Sequence, residues 1–254
     1  MQNQTYANLE IIVVDDGSTD GTEAYVTSIQ DERVRYVRLP ENKGPAGARN
    51  EGVKLAHGAY IAFQDSDTLW EADKLEKQLQ KMLQDDYVLV YHSYILNGQQ
   101  VLLGEISLQE KEGNIFIALL YSPMIGTPCM LVKKDIFERV GGFKDNLRCL
   151  EDYEFSLRIA RTGKIGFIEE VLLYSEDSEG AVSKNVLKEM ETLFYIMEVY
   201  FKELEIHAFA KKLIFNRISK LAVENSYMEI FYENLQKYLD ATEQSVEDVM
   251  ALYK

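Results

Sequence analysis

The stretch "EIIVVDDGSTDGT", Glu10 to Thr22, carries the decision about the fold. A short β-branched apolar run closes on two acids, and glycine, serine, threonine and aspartate follow in the manner of a turn and a helix start. Strand, loop and helix are predicted in that order. The same grammar returns in "RVRYVRL" (Arg33 to Leu39), the loop "PENKGPAG", the helical "ARNEGVKLAHG" and the strand "AYIAFQ" (Ala59 to Gln64). Strands alternating with helices predict βαβ units in an α/β domain with a largely parallel sheet, whose ligands gather at the carboxyl ends of strands. The acid clusters Asp15-Asp16 and Asp65-Ser66-Asp67 therefore fall on one edge of the sheet.

A chain of 254 residues, 46% hydrophobic and 27% charged, can bury a core in one large domain or one domain with an appendage. The longest apolar runs, such as "IFIALLY" at Ile115 to Tyr121, fall short of the ~20 residues of a membrane span, and no charged-then-apolar leader opens the chain. Neither span nor signal peptide is expected. Cys129 and Cys149 have no framework or zinc spacing and read as packed thiols of a reducing compartment. A net charge of −15 argues against a nucleic-acid partner. It also means that a phosphate ligand would need something to offset the field.

Further along, Leu75, Leu79, Met82 and Leu83 predict one apolar face of a helix starting near Glu71, and "YVLVYHS" (Tyr87 to Ser93) predicts another strand. Ile95 to Glu112 reads as a hairpin or loop excursion. "YSPMIGTPCMLVKKDIF" runs from loop to strand to helix, "VGGF" breaks the chain, and "CLEDYEFSLRIARTG" is helical with Gly163 as its stop. From Asn185 to Lys254 there is no proline or glycine, and Leu193, Ile196, Met197, Tyr200 and Leu204 recur at helical spacing. The expected organisation is a domain over 1–183 and an extension of roughly four helices over 184–254.

Each cluster has a chemical and a plain structural reading. Asp65 and Asp67 suit a hard divalent cation, which takes one or two carboxylates plus substrate phosphates, or they end a strand and cap a helix. Asp16 suits a nucleobase imide or a ribose hydroxyl, whereas Ser18, Thr19 and Asp20 suit capping. Gly44 and Gly47 permit close backbone approach and Pro45 suits a helix start, so Arg49 could meet a phosphate or lock Asp65 by a salt bridge. Glu151 and Asp152 open a helix, where the dipole favours carboxylates, and one of them could serve as general base to an acceptor hydroxyl. His57, His92 and His207 lack metal-ligand spacing. No Gly-x-Ser-x-Gly, Walker A loop or Gly-x-Gly-x-x-Gly occurs, which weakens hydrolase, NTPase and dinucleotide readings.

Taken in order, "NQTYANLEIIVVDDGSTDGT", "NKGPAGARNEGVKLAHGAYIAFQDSDTLW", "GTPCMLVKKDIFERVGGF" and "LEDYEFSLRIARTG" closely resemble the inverting family 2 glycosyltransferases, over roughly Gln2 to Ser183. The resemblance implies a GT-A, Rossmann-like, mostly parallel sheet flanked by helices, with the helical tail as an appendage. It implies that Asp16 recognises the base, usually uracil, with Asp15 beside it, and that Arg49 stands near the diphosphate. Asp67 would hold Mn²⁺ or Mg²⁺, while Asp65 and Ser66 support that site and the nucleotide. Asp152 would be the catalytic base, with Glu151 and Trp70 as acceptor contacts or supports. The implied reaction is hexosyl transfer from a nucleotide-sugar to a glycan or lipid-linked acceptor, at the cytoplasmic side, with peripheral membrane contact and self-association as options.

Three departures qualify the resemblance. Relatives usually begin with a strand like "VSVIIPTYN" and a helix, which this chain lacks before Met1, and truncation or a misplaced start codon is the expected explanation. Thr68 stands where many relatives place another acid. The segment "YSEDSEGAVSKN" lacks a histidine found near the metal in some relatives, where Asp177 or Glu179 could substitute. The rival readings are a non-catalytic sugar-nucleotide binder and, more remotely, a nucleotidyltransferase.

Overall fold

The computed structural model describes residues 1–101, 108–176 and 185–253. Two compact units emerge: one of Met1–Leu119, Pro123–Asn146 and Glu151–Glu179, the other of Leu120–Ser122, Leu147–Leu150 and Gly180–Lys254. No shift in composition marks the two short segments that join the second unit.

The order of elements begins β1 (Ile11–Asp15), α1 (Thr22–Thr27), β2 (Val34–Arg38), α2 (Gly44–Leu55), β3 (Tyr60–Ala62), β4 (Thr68–Trp70) and α3 (Lys74–Gln84). It continues β5 (Leu89–Leu96), β6 (Gln99–Gln100), α4 (Leu108–Lys111), α5 (Phe116–Tyr121), a 3-10 turn at Thr127–Cys129, β7 (Leu131–Lys133), α6 (Lys134–Arg139), α7 (Glu151–Ile159) and β8 (Ile165–Ser175). β1 pairs in parallel with β2, and a second sheet runs β3-β7-β5-β8-β4 with β6 against β5. The α/β class is as expected. Parallel pairing holds for β1–β2 and for the long β5–β8 ladder, whereas the three-residue strands β3, β4 and β7 pair antiparallel with their neighbours. Strand β4 has no counterpart in the sequence reading, because three residues are too few to establish a period.

Helix α3 turns the expected face inward at Leu75, Leu79 and Met82 but not at Leu83, and adds two polar residues to it. Lys74, Leu75, Gln78 and Met82 are buried, while Leu83 is 65% exposed. The inward polar ends are satisfied: Lys74 Nζ donates to Gln78 Oε1 at 2.8 Å, and Gln78 Nε2 donates to the carbonyls of Val90 and Cys129 at 3.1 and 2.8 Å. Around Leu75 and Met82 the core gathers Tyr87, Val90 and Leu131, with Trp70 and Leu79 packed against it. Cys129 and Cys149 are both buried and are not joined in a disulfide.

The second unit holds α8 (Val186–Val199), α9 (Phe201–Ile206), α10 (Ala208–Glu224), α11 (Met228–Thr242) and α12 (Val246–Ala251). Five helices are thus described where roughly four were expected, because breaks at Tyr200 and His207 set off the short α9. Phe194, Phe215, Phe231 and Tyr238 pack ring against ring between α8, α10 and α11. Asn185 caps α8, and Ser245 with Asp248 forms a capping box at α12. Among the described residues no helix is long and apolar enough to cross a membrane.

Candidate active site

The site grows from three acid-bearing ends. At the close of β1 the two adjacent aspartates separate in role. Asp15 is 2% exposed and accepts hydrogen bonds from the backbone N–H groups of Gly17 and Ser18, at 3.1 and 2.6 Å, and from the Tyr36 hydroxyl. The Tyr36 bond, then the Ser18 N–H, hold its carboxyl down at about 2. A folded-state pKa below the usual 3.8 contributes stability above about pH 4 that is lost as pH falls toward 2. Tyr36→Phe is therefore expected to move acid unfolding to higher pH, followed by near-UV circular dichroism; an unmoved midpoint would count against this account.

Asp16 points the other way, across to α2. Its carboxylate oxygens accept the backbone N–H groups of Lys43 and Gly44, each at 2.7 Å, and its own carbonyl accepts from Asn42 Nδ2. The acid thus holds the start of α2, where Gly44 adopts a positive φ of 75°.

From α2, Arg49 reaches the other two ends. Nη2 donates to Asp65 Oδ1 at 2.7 Å and Nη1 to Glu151 Oε1 at 2.7 Å, while the guanidinium lies 5.8 Å from the centre of the Phe143 ring. Sequence reading left Arg49 between a phosphate contact and a salt bridge to Asp65; the bridge is present and includes Glu151 as well. On α2 beside it, Asn50 brackets Phe143, donating to its carbonyl at 2.8 Å and accepting its N–H at 2.9 Å. Gly142 makes this possible: its φ is 65°, and a Cβ there would lie 2.6 Å from Asn50 Oδ1.

Past β3, Asp65 to Thr68 forms a tight turn in which the Asp65 carbonyl accepts both the N–H and the hydroxyl of Thr68, at 3.2 and 3.0 Å. Thr68 thus closes the turn through both its backbone and its side chain. Ser66 and Asp67 are exposed at its tip, and among the described residues the Asp67 carboxylate has no partner. Trp70 follows with its ring 3.8 Å beneath the buried Lys74 ammonium and joins the core, which makes it a packing support.

At the start of α7, half-buried Asp152 accepts the N–H of Thr127 at 3.2 Å and of Tyr153 at 2.8 Å. Burial first, then the neighbouring charge of Glu151, push its carboxyl up to about 6, against the opposing pull of the Thr127 N–H and Arg49. A carboxylate with that proton affinity is suited to general base chemistry near neutral pH. The Thr127 N–H belongs to the 3-10 turn whose Cys129 carbonyl is held by Gln78, itself bonded to Lys74. Lys74, Gln78, Thr127 and Tyr36 were all missed from the sequence, since none sits in an acid cluster; Tyr36, Gln78 and Thr127 act through partners 21 or more residues away, and Lys74 acts through Gln78.

Among the described residues no three His, Cys, Asp or Glu side chains group into a cage for a cation. A hard divalent ion bound mainly through phosphate oxygens and water needs only one or two protein carboxylates. The unpartnered Asp67 carboxylate, with the Asp65 oxygen that Arg49 leaves open, fits that donor set. Asp177 and Glu179 lie outside the described residues.

This combination of an α/β domain with acids at strand ends and a basic hub defines a GT-A fold. Staphylococcus aureus TarS in complex with UDP-GlcNAc superposes with a TM-score of 0.72 over 94% of this chain and 72% of that one, at 18% identity. Residues 1–141 match the model of glycosyl transferase family 2, and the chain belongs to that family. It is 32% identical over 193 residues to the Escherichia coli UDP-Glc:alpha-D-GlcNAc-diphosphoundecaprenol beta-1,3-glucosyltransferase WfgD, covering 74% of this chain and 73% of that protein. It is also 37% identical over 172 residues to an uncharacterized glycosyltransferase of Rickettsia felis, where the match covers 66% of this chain but 28% of the relative. The chain therefore matches less than a third of that longer protein.

Proposed function

We propose that this chain transfers a sugar from a UDP-linked donor to a hydroxyl of a glycan or lipid-linked acceptor with inversion. The observation that carries the reading is the Arg49 hub, which ties the Asp65–Asp67 turn to the helix start bearing Asp152. In this reading Asp152 Oδ takes the proton of the acceptor hydroxyl, whose oxygen bonds to the anomeric carbon as the bond to the diphosphate breaks. Attack from the face opposite the leaving group inverts that carbon. Asp16 and the neighbouring α2 start are assigned to the nucleoside, with Asp15 shaping the loop from behind. Arg49, Asp65 and Ser66 are assigned to the diphosphate side, and Glu151 holds Arg49 in place.

Asp67 and Asp65 would hold Mn²⁺ or Mg²⁺, which when bound supplies positive charge to the departing diphosphate. The acidity of the chain makes such a counter-charge necessary. A lipid-linked acceptor in cell-envelope polysaccharide synthesis is supported by the E. coli relative, whose name gives a diphosphoundecaprenol acceptor and a UDP-glucose donor.

The test is donor turnover by the purified chain with UDP-glucose or UDP-GlcNAc and Mn²⁺, as transfer or as slow donor hydrolysis. Asp67→Ala is expected to lower turnover on the order of 10²-fold, consistent with loss of several kcal/mol of charge stabilisation. Its exposed site predicts an unchanged melting temperature. Tight UDP binding without turnover by the unaltered chain would instead establish a non-catalytic binder, and full activity in Asp67→Ala would remove Asp67 from the metal site.

A further inference from the structure

Gln78 is fully buried on α3, and both of its amide hydrogens are committed. Its Nε2 spans two elements, donating to the carbonyl of Val90 on β5 at 3.1 Å and to that of Cys129 in the 3-10 turn at 2.8 Å. Lys74, equally buried, donates through Nζ to the amide oxygen at 2.8 Å. A lysine ammonium only donates and a backbone carbonyl only accepts, so a single orientation of the Gln78 amide satisfies all three partners. Lys74 thereby keeps the Gln78 N–H groups aimed at β5 and the turn.

The Cys129 carbonyl lies two residues from the N–H that meets Asp152. Within the turn the Cys129 N–H donates to the Gly126 carbonyl at 3.0 Å and the Met130 N–H to that of Thr127 at 3.1 Å, so Gly126 to Met130 is held as one hydrogen-bonded piece. From that piece the Thr127 N–H reaches Asp152 Oδ2 at 3.2 Å, the long end of the normal range. A contact at that limit is sensitive to any shift of the turn. Glu151, Arg49, Tyr94 and Cys129 are the other side chains that bear electrostatically on Asp152. Burial holds the Tyr94 phenol and the Cys129 thiol up at about 12, so neither changes charge near neutral pH. His92 on β5 is pushed down to about 3 by burial and then by the Lys74 charge, and burial brings Lys74 itself down to about 7.

We propose that Gln78 is a positioning residue for Asp152, holding the 3-10 turn so that the Thr127 N–H favours the ionised carboxylate. This role rests on the proposed assignment of Asp152 as the base, but the carboxyl can be read directly, without turnover. Its titration is followed in the full chain, with neither donor nor metal added, by ¹³C NMR of the side-chain carboxyl, assigned by its absence in Asp152→Asn. Gln78→Met keeps the side-chain length and removes both donors, and should raise the midpoint by about one pH unit. Lys74→Met/Gln78→Met should raise it equally. This double variant also removes the ammonium that the single one leaves unpartnered, together with its titration, and so decides the matter if Gln78→Met fails to fold. The pH-dependent shift of the Thr127 amide proton should shrink in step. In turnover, the limb that rises through about 6 should move by the same amount while the donor KM stays unchanged. An unmoved midpoint in the folded variant overturns the proposal. So does a moved midpoint with the Thr127 response intact, because Gln78 would then act outside the turn. A midpoint that moves as expected in a chain whose unaltered form turns over no UDP-sugar upholds the positioning role and removes the transferase reading instead.

Discussion

Asp152→Asn is expected to lower sugar transfer by on the order of 10²–10⁴-fold, the usual contribution of a positioned general base. The single amide oxygen can still accept one of the two N–H groups, from Thr127 or from Tyr153, so the variant loses the group that takes the proton together with one acceptor at the helix start. Because burial and Glu151 raise the Asp152 carboxyl to about 6, the unaltered chain should gain activity as pH rises through about 6 and then level off. The variant should lose that limb. Stability should move the opposite way. A folded-state pKa above the unfolded 3.8 means that the folded chain binds the proton more tightly, so its stability falls as pH rises from about 4 to about 6. At neutral pH the ionised Asp152 therefore weakens the fold, and the variant should melt a few degrees higher, with about 1 kcal/mol worth roughly 2–4 °C at this size. Loss of transfer accompanied by a lower melting temperature would mean that the residue supports the structure.

The second large effect concerns the helix that carries Asp152. Glu154, 1% exposed, accepts from Arg158 Nε at 2.7 and 3.0 Å and from Nη2 at 2.6 Å. Arg158 also donates to the carbonyls of Val140 and Gly142, fastening α7 to the Gly141-Gly142 turn. Arg158→Ala strands a buried carboxylate and frees two carbonyls. A cost of about 3–5 kcal/mol is expected, read as a fall of roughly 10 °C or more in the melting of the unit. Glu154→Leu/Arg158→Met should recover more than half of the loss, since a neutral pair has no charge to desolvate. A double variant as unstable as Arg158→Ala would place the whole effect in the turn.

The legible parts of the site are those in which cause and residue lie within a turn of each other. The acids at the ends of β1 and β3, the proline at the start of α2 and the glycine break at 141–142 follow from spacing alone. What lay beyond the sequence is who answers whom: Asp15 is answered by Tyr36 and Asp16 by the backbone of Lys43 and Gly44. The α3 face shows the same limit from the packing side. Leucine spacing placed Leu83 inward, but Lys74 and Gln78 are interior because partners on β5 and the 3-10 turn satisfy them.

The amino-acid sequence by itself determined the α/β class, because backbone propensity and turn chemistry act over a few residues, and its four ordered motifs carried the resemblance from which the family and the candidate roles of Asp16, Asp67 and Asp152 were read. The tertiary structure alone decided that Arg49 unites residues 16 and 102 positions away, that Asp15 faces inward, and that Asp152 holds its proton to about 6. Those properties depend on burial and on charges brought close by folding. Neither exists along the chain until the strands and helices have packed.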